Sequence, residues 1–198
     1  MNPQLAIPLF PLNTVLFPGG PLKLRIFETR YVDMIGRCMR SDAEFGVAMI
    51  VEGMEIGAAR TASIGTTARI FDFEQLKDGL LGIAARGCRR FRIGSVEVQP
   101  DGLNVASVEV LAPDPASKVD ADFHQLVEMV RLAYPHVRAH YADSEPLLTD
   151  ASWLSARATE LLPLGLQNRQ ECLELDDPIE RLHYLKKYLD ELGLKSGS

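Results

Sequence analysis

The stretch Ile7-Pro-Leu-Phe-Pro-Leu-Asn-Thr-Val-Leu-Phe-Pro-Gly-Gly-Pro-Leu-Lys-Leu-Arg-Ile-Phe-Glu-Thr-Arg-Tyr31 decides the fold of this chain. Its four prolines and two glycines, set among apolar residues, prevent it from forming one long helix. Over residues 21–27, apolar residues alternate with Lys23 and Arg25, and this period of two predicts a half-buried strand. Residues 18–21 favour a tight turn, because proline fixes φ and glycine tolerates positive φ.

Short strands and one helix are expected on either side of this turn. Apolar runs predict strands at 5–9 and 14–17. Beyond the turn, apolar residues spaced three and four apart predict a helix over 29–40. The buried face of that helix is expected to contain Tyr31, Met34, Ile35 and Cys38. We interpret the cysteine as a small buried hydrophobic residue rather than as a nucleophile.

Several segments, in the same order along the chain, resemble the LON substrate-binding domain, the N-terminal module of Lon-type ATP-dependent proteases. They are Pro8–Pro11, Val15–Gly19, Leu22–Tyr31, Phe45–Val47, Gly65–Ile70 and Asp78–Ile93. The resemblance covers most of the chain and is looser in the last third, and it identifies a free-standing bacterial-type member of the family. It implies an α+β fold, in which a β-rich PUA-like pseudo-barrel is followed by a C-terminal α-helical bundle.

The middle of the chain alternates between strand patterns and turn signals. Residues 45–51 predict an interior strand, and the glycines and small residues of 52–63 predict a long mobile loop. The Asp-Gly pairs at 78–79 and 101–102 predict two hairpins. Strands that follow one another through tight turns form an antiparallel sheet.

Two prolines within residues 112–116 mark a boundary, because the hydrophobic period changes there from two to about 3.6. We therefore expect a β-barrel domain over 1–113 and a helical domain over 117–194. The last helix has the clearest ends, with Asp177 as its N-cap and Gly193 closing its C-terminus.

Composition excludes several classes of protein. The net charge of −6 divides into −1 for residues 1–116 and −5 for 117–198, so neither part has the positive excess on which general nucleic-acid binding depends. No run of about 18 apolar residues predicts a membrane span. The three cysteines are widely spaced and odd in number, which predicts reduced thiols and a cytoplasmic location.

Catalytic motifs are missing from the sequence. Without a Gly-Lys dipeptide there is no phosphate-binding loop, so we expect no ATPase domain, no Ser-Lys peptidase domain, no catalytic residues and no cofactor. His136 and His140 are one helical turn apart, but Asp143 is the nearest carboxylate, and we interpret the pair as solvated rather than as metal ligands. A metal-dependent or cysteine hydrolase that uses these histidines or Cys88 is a less favoured alternative.

The resemblance implies non-enzymatic recognition of protein or peptide segments. The expected partners are unfolded or extended segments of other proteins, together with a protease or chaperone system, and the expected state is a monomer or a weak homo-oligomer. Met54 and Ile56 are the large apolar residues of the predicted loop, and we take them as candidate peptide contacts.

An RNA-binding PUA-like module is the alternative function, and it depends on the Arg86–Arg92 strand. If Phe91 and Ile93 point inwards, Arg90 and Arg92 share the exposed face and could contact phosphates. The near-neutral charge of this part of the chain makes nucleic acid the less favoured partner.

Overall fold

In the computed structural model, residues 4–55, 59–141, 145–191 and 193 are described. The chain divides into two compact units, Met1–Ala112 and Pro113–Ser198. The first is a sheet of seven strands with one helix, and the second is helical, which confirms the predicted α+β class. That the units fold as separate domains over 1–113 and 117–194 stays a prediction. None of the described helices is long and apolar enough to cross a membrane.

The elements of the first unit are β1 (Leu5–Leu12), β2 (Pro21–Ile26), α1 (Thr29–Ser41), β3 (Phe45–Gly53), β4 (Ala59–Thr61), β5 (Ile64–Gln75), β6 (Leu81–Val98) and β7 (Asn104–Val110). The second unit contains a 3-10 turn (Ala121–Phe123), α2 (His124–Val137), another 3-10 turn (Arg138–His140), α3 (Ala151–Leu161), α4 (Leu166–Glu174) and α5 (Pro178–Glu191).

The sheet closes into a barrel. Its strands run in the order β1-β7-β6-β5-β3, and β1 also pairs with β3 in parallel, which completes the ring. Two strands lie outside the ring, since β2 pairs with β6 and β4 pairs with β3. Within the described residues, closure pairs the edges of the ring strands, and unpaired edges remain at the two outer strands and at strand ends that extend past their partners.

Two groups of buried side chains fill the barrel unit. The first lies under α1, whose buried residues are the predicted Tyr31, Met34, Ile35 and Cys38. There the rings of Phe10 and Tyr31 stack with centroids 3.8 Å apart. The second group, which we call the second core, comprises Ile7, Leu9, Ala48, Phe91, Ala106 and Val108, with Ile93 packed against it.

Both predicted Asp-Gly turns are present, and one of them explains the charged residues of the N-terminal motif. Gly79 and Gly102 have φ values of 84° and 81°, which other residues rarely adopt. Arg30 donates hydrogen bonds to the carbonyl of Gly102 at 2.6 Å and to Glu28 at 2.9 Å. The Glu28–Arg30 pair therefore fastens the β6–β7 turn to the start of α1.

The strand predicted at 14–17 is wrong, because those residues form no regular element. The turn that follows is held by Gly87 of β6, whose carbonyl accepts from Gly19 at 2.8 Å and whose amide donates to the carbonyl of Gly20 at 2.9 Å. A Cβ atom on Gly87 would lie 2.1 Å from the carbonyl oxygen of Phe17. Close backbone contact at a glycine therefore replaces the predicted strand pairing.

The long loop predicted over 52–63 is also wrong for the residues that are described. β3 continues to Gly53, and β4 pairs with it in an antiparallel hairpin after a register shift between Ile50 and Glu52. Gly53 has a φ of 96°, so the glycine that suggested a loop instead permits the sharp change of direction at the end of β3. Residues 56–58 lie outside the described part of the chain.

The helical unit is organised around a buried arginine. Arg181 of α5 donates to the carbonyl oxygens of Cys172 and Leu175, each at 2.8 Å. Its Nη1 atom also donates to Asp114 at 3.0 Å and to the Ser155 hydroxyl at 3.1 Å. One side chain thus connects α3, α4 and α5 to the first residues of the unit.

The predicted ends of the last helix are confirmed. The carboxylate of Asp177 accepts from the amide of Ile179 at 2.8 Å, and Gly193, with a φ of 71°, donates from its amide to the carbonyl of Asp190 at 3.2 Å. These contacts satisfy backbone groups that a helix terminus otherwise leaves unpaired.

Candidate functional site

The second core is open at one end of the barrel. Val96 lies opposite the fully buried Ala106, and Val98 lies opposite Asn104. Directly opposed residues of antiparallel strands lie on the same face of a sheet, so Val96 extends the face that Ala106 presents to the core. Yet Val96 is 45% exposed and Val98 is 66% exposed. The apolar surface of the core therefore continues into solvent.

A cavity of about 510 Å³ lies between β4 and the C-terminal end of β6. Its volume is within the range of about 300 to 1,000 Å³ that is typical of small-ligand sites. We call it the β4–β6 cleft. Its apolar lining residues are Leu9, Ala59, Ala62, Ile93, Val96 and Val98, and its polar ones include Arg60, Thr61, Ser63, Ser95 and Asn104.

The local course of the strands creates the cleft. β6 pairs with β5 as far as Arg92, and the amide of Ile93 donates to the carbonyl of Ser63 at 2.8 Å. Past that point β6 pairs with β7 on one side and, among the described residues, has no strand partner on the other. β4 pairs with β3 alone within the same described ranges. Two unpaired strand edges therefore border an apolar cavity.

The electrostatics of the β4–β6 cleft are simple. Arg60 is the one charged side chain among the described residues that line it, and its guanidinium pairs with Glu52 at 3.1 Å. Both partners are largely exposed, and such pairs contribute at most about 1 kcal/mol. The cleft therefore presents little net charge.

Met54, one of the two predicted peptide contacts, lies at the tip of the β3–β4 hairpin and is 70% exposed. Its neighbour Gly53 pairs with Ala59, which lines the cleft. The carboxylate of Glu55 accepts from the amide of Asn13 at 2.8 Å and connects this end of β3 to the segment after β1. Ile56, the other predicted contact, lies outside the described residues.

The arginines proposed to contact RNA do not share an exposed face. Arg92 is exposed, but Arg90 is only 6% exposed, so the simple alternation around Phe91 is wrong at Arg90. Arg90 lies opposite Thr66, whose hydroxyl donates to the carbonyl of Leu16 at 2.5 Å. Segment 14–17, which forms no strand, therefore covers the sheet at this position.

The cysteines are poor candidates for a nucleophile. Burial and the negative charge of Glu44 raise the pKa of the Cys88 thiol, and burial raises the pKa of Cys172 to about 11. Burial likewise raises the pKa of Cys38. Since the thiolate is the reactive form, these shifts work against a cysteine hydrolase.

Among the described residues, the histidine pair does not form part of a recognisable metal site. His136 lies in α2, His140 lies in the 3-10 turn that follows, and both are exposed. Asp143, the carboxylate nearest to them in the sequence, is outside the described residues. Within the described ranges, no three His, Cys, Asp or Glu side chains are grouped so that they could hold a metal ion.

Comparison with known proteins gives matches in sequence and in fold that cover almost the whole chain. A family model described as the ATP-dependent protease La (LON) substrate-binding domain matches residues 6–191. The crystal structure of a Lon N-terminal domain protein from Xanthomonas campestris has a TM-score of 0.79 and 35% identity, and the match covers 93% of this chain and 98% of that one. The N-terminal domain of a Mycobacterium avium complex Lon protease has a TM-score of 0.69 at 21% identity, over 94% and 98%, and this likeness concerns the fold alone.

Curated relatives are longer proteins. A LON peptidase N-terminal domain and RING finger protein of Schizosaccharomyces pombe is 27% identical over 222 residues, which cover 94% of this chain and 45% of the relative. Cereblon of Danio rerio is 32% identical over 117 residues, 55% of this chain and 27% of cereblon. A Lon protease of Flavobacterium johnsoniae is 23% identical, over 97% of this chain and 25% of the protease. The chain thus spans less than half the length of each of these relatives.

Proposed function

Because the chain belongs to the ATP-dependent protease La (LON) substrate-binding domain family, we propose that it is a non-enzymatic module that recognises protein segments. The segments are unfolded or extended parts of other proteins, and the module acts in the cytoplasm beside a protease or chaperone system. The observation that best supports this function is the β4–β6 cleft, where the apolar surface of the second core continues into solvent.

Two features of the cleft suit an extended polypeptide. Apolar side chains of the segment would cover Val96 and Val98, at about 25 cal/mol for each Å² removed from water before the cost of association. The backbone of the segment would pair with the unpaired edge of β6 or of β4, a mode of recognition that does not depend on sequence. This combination suits a module that accepts varied substrates.

Met54 would add an adaptable contact beside the cleft. A thioether side chain is flexible and polarisable, so it can pack against partners of different shape. We propose that Met54 and Ile56 contact the segment outside the cavity.

A binding titration with matched variants tests this function. A labelled, permanently unfolded protein is titrated with the chain, and fluorescence anisotropy reports binding. The double variant Val96→Ser, Val98→Ser is expected to bind at least about fivefold more weakly, since it removes apolar surface from the cleft. Leu132→Ser is the control, because Leu132 is 71% exposed but lies in α2 of the helical unit. Equal binding by both variants would contradict the proposal.

A further inference from the structure

The outer face of the β2–β6–β5 part of the sheet has oppositely charged sides. Across these strands, Lys23 lies level with Ala84 and Asp72, and Arg25 lies level with Gly82 and Glu74. Opposed residues share a face, so two cations line one side, two carboxylates line the other, and small residues form the middle. We call these six residues the polarised face.

The middle of the polarised face is recessed. A cavity of about 400 Å³ is lined by these residues, and beside it the side chain of Leu76 packs over Gly82, where a built Cβ would lie 3.0 Å from Cδ2 of Leu76. Neighbouring strands are about 4.8 Å apart, which puts the two charged sides about 10 Å from each other. Among the described residues, Lys23, Asp72 and Glu74 form no ion pair, and Arg25 pairs only with the exposed Asp78 of the β5–β6 turn.

A two-fold axis makes this arrangement complementary to itself. An axis parallel to β6, above Ala84 and Gly82, turns β2 of one copy over β5 of the other. Each Lys23 then faces the Asp72 of the second copy, and each Arg25 faces its Glu74, because the paired residues lie at the same level along the strands. Packed sheets are about 10 Å apart, a distance that a long basic side chain and a carboxylate can bridge together.

We propose that the polarised face binds the same face of a second copy of this chain and forms a two-fold symmetric dimer. Two-fold symmetry uses one patch twice, so every charged contact occurs in duplicate. The balance of signs argues against a polyanion such as RNA, which would contact Asp72 and Glu74 as well as Lys23. The face shares no lining residue with the β4–β6 cleft, so dimerisation leaves the cleft open.

The proposed dimer is weak and sensitive to salt. Ten residues line the cavity at this face, whereas a standard interface uses about 20 to 30 residues on each side. Exposed charges at the interface are screened as the ionic strength rises. The dimer should therefore form at high protein concentration and low salt, and it should dissociate on dilution or at high salt.

Sedimentation velocity on the full chain, over a concentration series at low salt, tests the proposal. We expect a monomer–dimer equilibrium. Lys23→Glu should weaken dimerisation by at least about tenfold, because the new carboxylate faces that of Asp72 at both symmetry-related contacts. Asp72→Lys should have the same effect. The double variant Lys23→Glu, Asp72→Lys should restore association, since it exchanges the charges. Lys187→Glu, at an exposed site on α5, is the control.

Three outcomes would overturn the proposal. The first is a wild-type chain that remains monomeric throughout the concentration series. The second is a dimer that Lys23→Glu leaves intact, since the contact must then lie elsewhere. The third is a chain that forms no dimer but whose Lys23→Glu variant loses binding to the unfolded protein. That result would assign the polarised face to a polypeptide segment.

Discussion

Arg181 and Asp114 form a buried ion pair, with Nη1 of the arginine 3.0 Å from the carboxylate oxygen. Removing one partner of such a pair is costly, because the remaining charge stays in a poorly solvated place. We expect Asp114→Ala to lower the free energy of unfolding by about 3 kcal/mol, as measured by urea denaturation. Glu128→Ala is the control, since its ion pair with Arg131 is exposed on both sides and should contribute under about 1 kcal/mol. Similar losses in the two variants would contradict this account of the helical unit.

Glu44 should make the stability of the chain depend on pH. Burial raises the pKa of Glu44, but hydrogen bonds from Thr67 and Arg69 and the positive charge of Arg89 outweigh it and hold the pKa below its ordinary value. A lowered pKa in the folded state stabilises the fold above the unfolded-state pKa of about 4.3, and this stabilisation is lost as the pH falls through the folded-state pKa.

The comparison of wild type with Glu44→Gln measures this effect. Urea denaturation at neutral pH should show the variant to be less stable, and the difference should disappear in acid below the folded-state pKa of Glu44. A difference that stays constant from neutral to acid pH would show that the carboxylate charge makes no contribution.

Local chemistry was enough to predict much of the fold. The buried face of α1 followed from the spacing of Tyr31, Met34, Ile35 and Cys38. The Asp-Gly turns followed from the need for positive φ at Gly79 and Gly102. Each of these features depends on residues close together in the sequence, so each can be predicted from a single sequence.

Features that depend on distant contacts were not predicted. Segment 14–17 has a strand-like composition, but its last residue, Phe17, and the turn after it lie against Gly87, some seventy residues away. The same segment buries Arg90, which simple alternation places outside. The β4–β6 cleft arises where β6 extends past β5, and nothing in the alternation of Val96 and Val98 shows where a neighbouring strand ends.

The close approach at Gly87 gives a prediction about stability. A methyl group there would collide with the carbonyl oxygen of Phe17, which is backbone and cannot turn aside. We expect Gly87→Ala to cost about 1 to 3 kcal/mol, measured by thermal or urea unfolding. Gly165→Ala serves as control, because a Cβ at Gly165 has no described neighbour within 4 Å. Equal changes in stability in the two variants would show that the close approach of Gly87 and Phe17 does not fix segment 14–17.

The proposed peptide contacts Met54 and Ile56 predict a change in binding without a change in stability. The double variant Met54→Ser, Ile56→Ser should bind the unfolded protein several-fold more weakly, because it loses apolar contact area. The melting temperature should stay nearly constant, since Met54 is 70% exposed. A large fall in the melting temperature would show instead that these side chains are part of the core, where such losses cost a few kcal/mol.

Hydrogen–deuterium exchange with and without the unfolded protein tests most directly whether the β4–β6 cleft holds protein segments. If a segment occupies the cleft and pairs with its strand edges, amides within 93–98 of β6 and 59–63 at β4 should exchange more slowly in the complex. Amides at 21–26 of β2, on the polarised face, should be unaffected at protein concentrations where the chain is monomeric. Binding that leaves exchange at 93–98 and 59–63 unchanged would contradict the account.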